Sequence, residues 1–343
     1  MAIHIEEKDR KVEIKDGAKL YAELRRDVTE AGLLKRRYGY YAFIIILTVF
    51  YYVLGIYGIV RSQSFFSIIL WSIFFGSITI HFGRLVHDAG HRAIVKTVFW
   101  NDVIGYISGT LIAFGYSEWR PKHDQHHAHT NQTDEDPDLE VPLLYFTTER
   151  IHRQRGILRL LAKYQAYFYF LLGSLAGYTM RFAMITYLWK KRSKKIIPDA
   201  VIFGLSYICW YALPFIFFPF GKAITVFFVV NLVNGLYMMH IFAPNHKGMP
   251  EIAKGAKLSF LEQQIMTSRN INPHWLTDYI FMGLNYQIEH HLFPSCPRIN
   301  LRKLTPFVKK LAKQLDLEYT TVSIFESDKI ILRELYSVSQ TLS

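Results

Sequence analysis

Long uncharged apolar runs set the organisation of this chain. Five of them approach or exceed the roughly 20 residues that a helix needs to cross a hydrocarbon core. They are Tyr38 to Val60, Ser64 to Gly83, Tyr164 to Trp189, Ala200 to Phe220 and Ala223 to Pro244. A sixth, Val98 to Tyr116, is shorter and contains Asn101 and Asp102. Basic residues flank the runs, with Lys35-Arg36-Arg37 ahead of the first and a cluster from Lys190 to Lys195 after the third. The positive-inside rule puts both clusters in the cytoplasm. Only Arg61, Ser62 and Gln63 separate the first two runs, so the second returns where the first leaves. The last two, joined at Gly221-Lys222, form a second out-and-back hairpin. Neither Val98–Tyr116 nor Tyr164–Trp189 can then cross, because one extra crossing would carry a basic cluster outside. Arg181 and the tyrosines of the latter suit a helix lying at the interface. Six crossings, the alternative, would break the parity between the histidine clusters described below.

The expected fold is therefore all-α and integral to the membrane. Four transmembrane helices form two hairpins, at about 38–60, 64–83, 200–220 and 223–244, with interfacial helices and a cytoplasmic histidine-rich cap. Residues 1–37 read as a cytoplasmic N-terminal segment and 38–303 as the membrane domain. Residues 304–343 read as an amphipathic C-terminal cap with no chemistry of its own. Composition agrees, since 51% of the 343 residues are apolar and 16% are aromatic. A net charge of +12 could suggest nucleic acid, but the cations act as membrane flanks and no nucleic-acid module is present. Cys209 and Cys296 are the only cysteines, which leaves neither a disulfide framework nor a thiolate metal site. The charged, polar start argues against a cleaved signal peptide.

Seven of the 14 histidines fall in three short clusters: His87 and His91 in HDAGH, His123, His126 and His127 in HDQHH, and His290 and His291 in QIEHH. Residues three and four apart share a helix face, so each cluster, with Gln287 heading the third, reads as a prebuilt ligand face. Neutral imidazole suits Zn, Cu, Fe and Ni. Seven ligands exceed one zinc site and suit two metals. The parity of crossings puts all three clusters on the cytoplasmic side, at helix ends, where they can converge. Asp88, Asp124 and Glu289 lie within the clusters, and Asp102, Asp134, Asp136 and Asp278 lie nearby, as candidates to orient the rings. On a helix Asp88 projects about 100° from His87, so solvent exposure or a salt bridge suits it equally well.

HDAGH, HDQHH and QIEHH resemble the three histidine boxes of membrane fatty-acid desaturases. The stretch NYQIEHHLFPSCPR is similar to front-end desaturases, in which glutamine replaces the first histidine of the third box, and HHAHTN continues the match after the second. The resemblance implies a di-iron centre of two non-haem Fe ions and O2-dependent insertion of a cis double bond into a saturated or monounsaturated fatty-acyl chain. It also implies a further histidine between the last spanning helix and the third box. His240 and His246 are both available, and the family's Asn-His stretch favours His246, which follows Asn245. The implied ligands are His87, His91, His123, His126, His127, His246, His290 and His291, with Gln287 as a weaker or water-mediated ninth position.

Front-end desaturases often carry a fused cytochrome b5 domain with a His-Pro-Gly-Gly haem motif, which this sequence lacks. Electrons are then expected from a separate donor such as a ferredoxin, a flavodoxin or a cytochrome, and a basic cytoplasmic face would attract an acidic one. The substrate would be a fatty-acyl chain on CoA, on a carrier protein or in a lipid. An alkyl or fatty-acyl hydroxylase is the neighbouring alternative, because the same centre can rebound oxygen. A metal transporter or zinc sensor is the alternative from another class. Transporters place ligands near the bilayer midplane, whereas these histidines lie at or beyond helix ends.

Overall fold

The structure is a computed structural model that describes residues 4–5, 17–141, 143–191, 196–256 and 258–342. Residues 192–195 of the basic cluster, and much of the N-terminal segment, lie outside the described residues. Internal contacts divide the chain into two units. One, here the membrane unit, comprises Arg36–Arg120 and Gly173–Met239. The other, the histidine unit, comprises Met1–Lys35, Pro121–Leu172 and His240–Ser343.

Among the described residues, four helices are each long and apolar enough to cross a membrane: Tyr38–Arg61, Phe65–Gly90, Ile197–Phe217 and Phe220–His246. The first shows why. Phe43, Ile46, Phe50, Val53 and Tyr57 recur at intervals of three and four and stand exposed, while Tyr41, Thr48 and Gly55 are buried. A helix whose outward face is its greasy one has lipid, not water, as its solvent. The second helix runs to Gly90 rather than ending at Gly83. Loss of apolar character does not end a helix, so the first histidine box forms its last turn, with His91 as the C-cap. The third span contains a π-helical turn at Ile208–Ala212 ahead of Pro214. Proline cannot donate to the preceding turn, and the widened turn lets the Trp210 indole donate to the Leu111 carbonyl at 2.9 Å. Tyr164–Trp189 is not one continuous segment but two helices, Gln165–Ser174 and Ala176–Lys191, broken at Leu175.

Arg181 departs from the expectation of an interfacial residue. It is buried within the membrane unit. Its guanidinium donates to Asn231 Oδ1 at 2.8 Å, the Gly177 carbonyl at 2.9 Å and the Ile112 carbonyl at 3.3 Å. Asn234 in turn donates to the Gly76 carbonyl at 2.7 Å and to Thr79 at 2.9 Å. A buried polar group away from water needs such partners, and these bonds tie Phe65–Gly90, Ala176–Lys191 and Phe220–His246 together. The partner asparagines lie some 50 residues away in sequence, beyond the reach of local pattern.

The histidine unit has a separate core. Gly17–Glu30, Phe260–Met266, Gln287–Leu292 and Leu301–Gln314 bury Leu24, Val28, Leu261, Ile265, Ile288, Leu304 and Val308 against one another. Leu301, Leu304, Val308 and Leu311 follow helical spacing, and full burial of each such side chain contributes about 1.5–3 kcal/mol. A two-residue parallel pairing joins Asn270–Ile271 to Thr321–Val322, which fixes the segment before the third box against the C-terminal region.

Gly235 marks a close approach of helix backbones in the membrane unit, since a Cβ there would fall 1.8 Å from the Ser174 carbonyl oxygen. Backbone cannot yield as a side chain end can, and overpacking of this kind costs about 1–3 kcal/mol. Gly235→Val is expected to lower the melting temperature of the detergent-solubilised protein by several degrees. Gly221→Val, where nothing lies within 4 Å, should leave it nearly unchanged.

Candidate metal centre

The second box lies on the helix Tyr116–Ala128 and the third on Gln287–Leu292, and all five of their histidines are buried. Their rings do not form one face per box. One nitrogen each from His126, His246 and His291 lies within 4.8 Å of the others, and one each from His123, His127 and His290 does likewise. Consecutive helix residues diverge by about 100°, so His126 turns away from His127, and His290 away from His291. Each box therefore feeds both groups. His123 Nε2 and His127 Nε2 face each other at 3.2 Å, as two ligands directed at one point would. The groups adjoin through His127 and His291, whose rings stack at 4.1 Å.

Several rings are anchored through Nδ1. That of His126 lies 3.0 Å from both carboxylate oxygens of Asp136. Burial alone would raise the Asp136 pKa, but the His126 imidazole and the Lys247 ammonium hold it below the usual carboxylate range. The ionised carboxylate accepts the Nδ1 proton and leaves the Nε2 lone pair of His126 for a metal. Asp136 is held in place by the backbone N–H groups of Asn131 and Asp138, both at 2.8 Å. Asn131 adopts φ of 53°, a conformation that asparagine tolerates better than most residues, and its side chain donates to the His246 carbonyl at 3.2 Å. His246 Nδ1 lies 3.2 Å from the Thr267 carbonyl. Because a carbonyl only accepts, that nitrogen carries the proton. His291 Nδ1 lies 2.7 Å from Gln264 Oε1.

The first box belongs to the membrane unit. His87 and His91 are buried with their rings 4.7 Å apart. Asp88 is buried rather than exposed. It accepts from His87 Nδ1 at 3.1 Å, while Tyr41 donates to its other oxygen at 2.9 Å. The helix turn that separates Asp88 from His87 is bridged because the two side chains are adjacent and Tyr41 fixes the carboxylate from a second helix.

Gln287 presents its amide nitrogen to His246 Nε2 at 2.9 Å. Asn245 fixes this orientation: its Nδ2 donates to the Ile241 and Leu284 carbonyls and, at 3.1 Å, to Gln287 Oε1. The oxygen of Gln287 is thus engaged by the protein, and its N–H faces the group. His240 stands apart, 3.9 Å from Asp328 and stacked on Phe170. Glu289 is fully buried, accepting from Asn270 at 2.8 Å and from the Tyr319 hydroxyl. Burial raises its pKa, against the pull of those two donors. The C-terminal segment, read as a cap with no chemistry of its own, thus reaches the third box through Tyr319. Of the remaining acids, Asp102 pairs with Arg92 at 2.5 Å, Asp134 with Lys254 at 3.4 Å, and Asp278 accepts from Asn285 at 2.7 Å. Asp124 is exposed.

Buried imidazoles, four of them with Nδ1 facing an acceptor and with no thiolate among them, fit a pair of transition-metal ions of borderline softness. Replacing Asp136 by Asn weakens the acceptor behind His126 without changing its size. Loss of such a supporting group lowers metal affinity about 10–100-fold, so Asp136→Asn should lose metal to a chelator far sooner than the wild type. Asp124→Asn, an equal chemical change at an exposed box position, should not.

The family model for fatty acid desaturases matches residues 63–323. The chain is 28% identical over 330 residues to a Delta(8)-fatty-acid desaturase of Euglena gracilis, covering 92% of this chain and 77% of that protein. It is 26% identical to the Delta(6)-fatty-acid desaturase fat-3 of Caenorhabditis elegans over 350 residues, covering 93% and 75%. It is 28% identical to the Delta(5) fatty acid desaturase fat-4 of the same organism over 321 residues, covering 90% and 71%. With the boxes, their acceptors and three of the four long apolar helices inside a match that spans most of its length, the chain belongs to the fatty acid desaturase family.

Proposed function

We propose that this chain is a membrane fatty-acyl desaturase working at a di-iron centre held by His87, His91, His123, His126, His127, His246, His290 and His291. The observation that carries the reading is the division of the five histidines of the second and third boxes, together with His246, into two groups of three nitrogens, one per metal. The assignment of His87 and His91 rests on their box and on the Tyr41–Asp88–His87 chain behind it. Gln287 is read as a hydrogen-bond donor to the centre or a water-mediated contact, because its oxygen is engaged by Asn245.

Removal of hydrogens from two neighbouring methylenes has no acid–base handle. When bound, two irons supply the O2-dependent oxidation that no side chain can perform. The overall change takes R–CH2–CH2–R, O2, two electrons and two protons to R–CH=CH–R and two waters. The chain's own residues fix the rings through Asp88, Asp136, Gln264 and the Thr267 carbonyl, and their burial keeps water away. The two hairpins, with the boxes on the cytoplasmic face, follow from the basic flanks. Electrons come from a separate acidic carrier such as a ferredoxin, a flavodoxin or a cytochrome, and the acyl chain arrives on CoA, on a carrier protein or in a lipid. Relatives named for Delta(8), Delta(6) and Delta(5) positions support insertion toward the carboxyl end.

Expression in a host that lacks the activity, followed by gas chromatography–mass spectrometry of its fatty acids, should reveal a new double bond, while a hydroxylated product would identify the oxygen-inserting alternative. His126→Ala and His290→Ala should each abolish that product while the protein still inserts, and the purified wild type should carry two Fe and little Zn. Electron transfer from an acidic carrier should slow as ionic strength rises, and a salt-independent rate would remove the charge-steered docking from the proposal.

A further inference from the structure

The helix Phe220–His246 ends on its histidine, and a buried helix end leaves carbonyls that need donors. One residue supplies donors to two of them, and to the carbonyl just beyond the helix. Arg269 is completely buried. Its Nε donates to the Pro244 carbonyl, its Nη2 donates to the Lys247 carbonyl at 2.6 Å, and its backbone N–H donates to the Asn245 carbonyl at 2.9 Å. These three carbonyls bracket His246. Two residues earlier, the Thr267 carbonyl accepts from His246 Nδ1. The short segment from Thr267 to Arg269 thus grips both the backbone around His246 and its ring.

We infer that Arg269 is a positioning residue for the metal centre, fixing the backbone from which His246 aims its Nε2. This rests on the reading of His246 as a ligand. The planar guanidinium offers donors in a rigid fork that reaches two carbonyls at once, whereas an ammonium is a single flexible point of charge. Charge alone would suit a helix C-terminus, so lysine would meet that need. It would not hold Pro244 and Lys247 in fixed relation. The neighbouring helix Phe260–Met266 carries Gln264, the acceptor for His291. Arg269 therefore belongs to the scaffold that orients two members of the same nitrogen group.

The test compares Arg269→Lys, His246→Ala and the double variant, each purified in detergent from membranes, by iron content under chelator challenge and by Mössbauer spectroscopy of 57Fe-loaded protein. Arg269→Lys is expected to insert and keep its helicity. It should hold one of its irons about 10–100-fold more weakly and show an altered quadrupole doublet for that iron. In the His246→Ala background, Arg269→Lys should cause no further loss, because the ligand it positions is gone. Retention of both irons with the wild-type spectrum would overturn the inference. So would a loss that adds to that of His246→Ala, or failure of Arg269→Lys to insert where His246→Ala does insert, since either means that Arg269 holds the fold rather than the ligand. A wild type that binds a metal other than iron would sink the proposed function, while the same comparison of metal contents would still decide the role of Arg269.

Discussion

A metal-ligating imidazole almost always donates its other N–H to an acceptor, and much of the histidine unit is arranged to supply one. Asp136 accepts from His126, the Thr267 carbonyl from His246, and Gln264 from His291. These three acceptors differ in chemistry, being a carboxylate, a main-chain carbonyl and an amide oxygen, yet each is itself held. Asp136 is fixed by two backbone N–H groups, Thr267 donates to the Gln263 carbonyl through its hydroxyl at 2.6 Å, and Gln264 donates to the His127 carbonyl at 3.2 Å. The left-handed turn at Asn131, the capping box of Ser259 and Glu262, and the short strand pair at Asn270 are best understood as means of placing those acceptors.

The apolar runs and the boxes were legible in the sequence because both signals are local. A span is a run, and a box is a spacing of three or four. The eight candidate histidines are those that sequence and resemblance propose together, and His246 lies with His126 and His291 while His240 does not. What escaped the reading depends on distant contacts. Arg181 looked interfacial because its partners Asn231 and Asn234 sit on another helix. Arg269 carried no signal, since its partners are backbone carbonyls and have no residue type. Tyr319 lies in a stretch that reads as an amphipathic cap, and its connection to the third box, through a hydrogen bond to Glu289, has no local signal. The division of boxes two and three into mixed groups was hidden for a different reason. Same-face spacing gives the side of a helix but not which neighbouring rings share a point.

Polar residues follow one rule in both units, although their surroundings differ. In the membrane unit, Arg181 bonds to Asn231 and Asn234 and to nearby carbonyls, and the bonds of this group cross between helices whose outward faces are apolar. In the histidine unit, Arg269 and Asn245 do the same for a helix end and a glutamine. Removal of a single partner from such a network leaves a desolvated group behind, which costs more than the bond itself contributed. The buried asparagines, glutamines and arginines are thus as tightly specified as the apolar core around them.

Asp88 receives its proton bonds from two sides, with His87 on its own helix and Tyr41 on the preceding one. Tyr41 is almost completely buried on a helix whose opposite face meets lipid. The electron richness of the His87 ring is therefore coupled to how closely two apolar helices lie together. A bilayer that is too thin, or a detergent that lets the two helices splay, would withdraw the tyrosine from the carboxylate and leave Asp88 a stronger base toward His87. Lipid composition becomes, through one hydroxyl, a chemical variable at the imidazole.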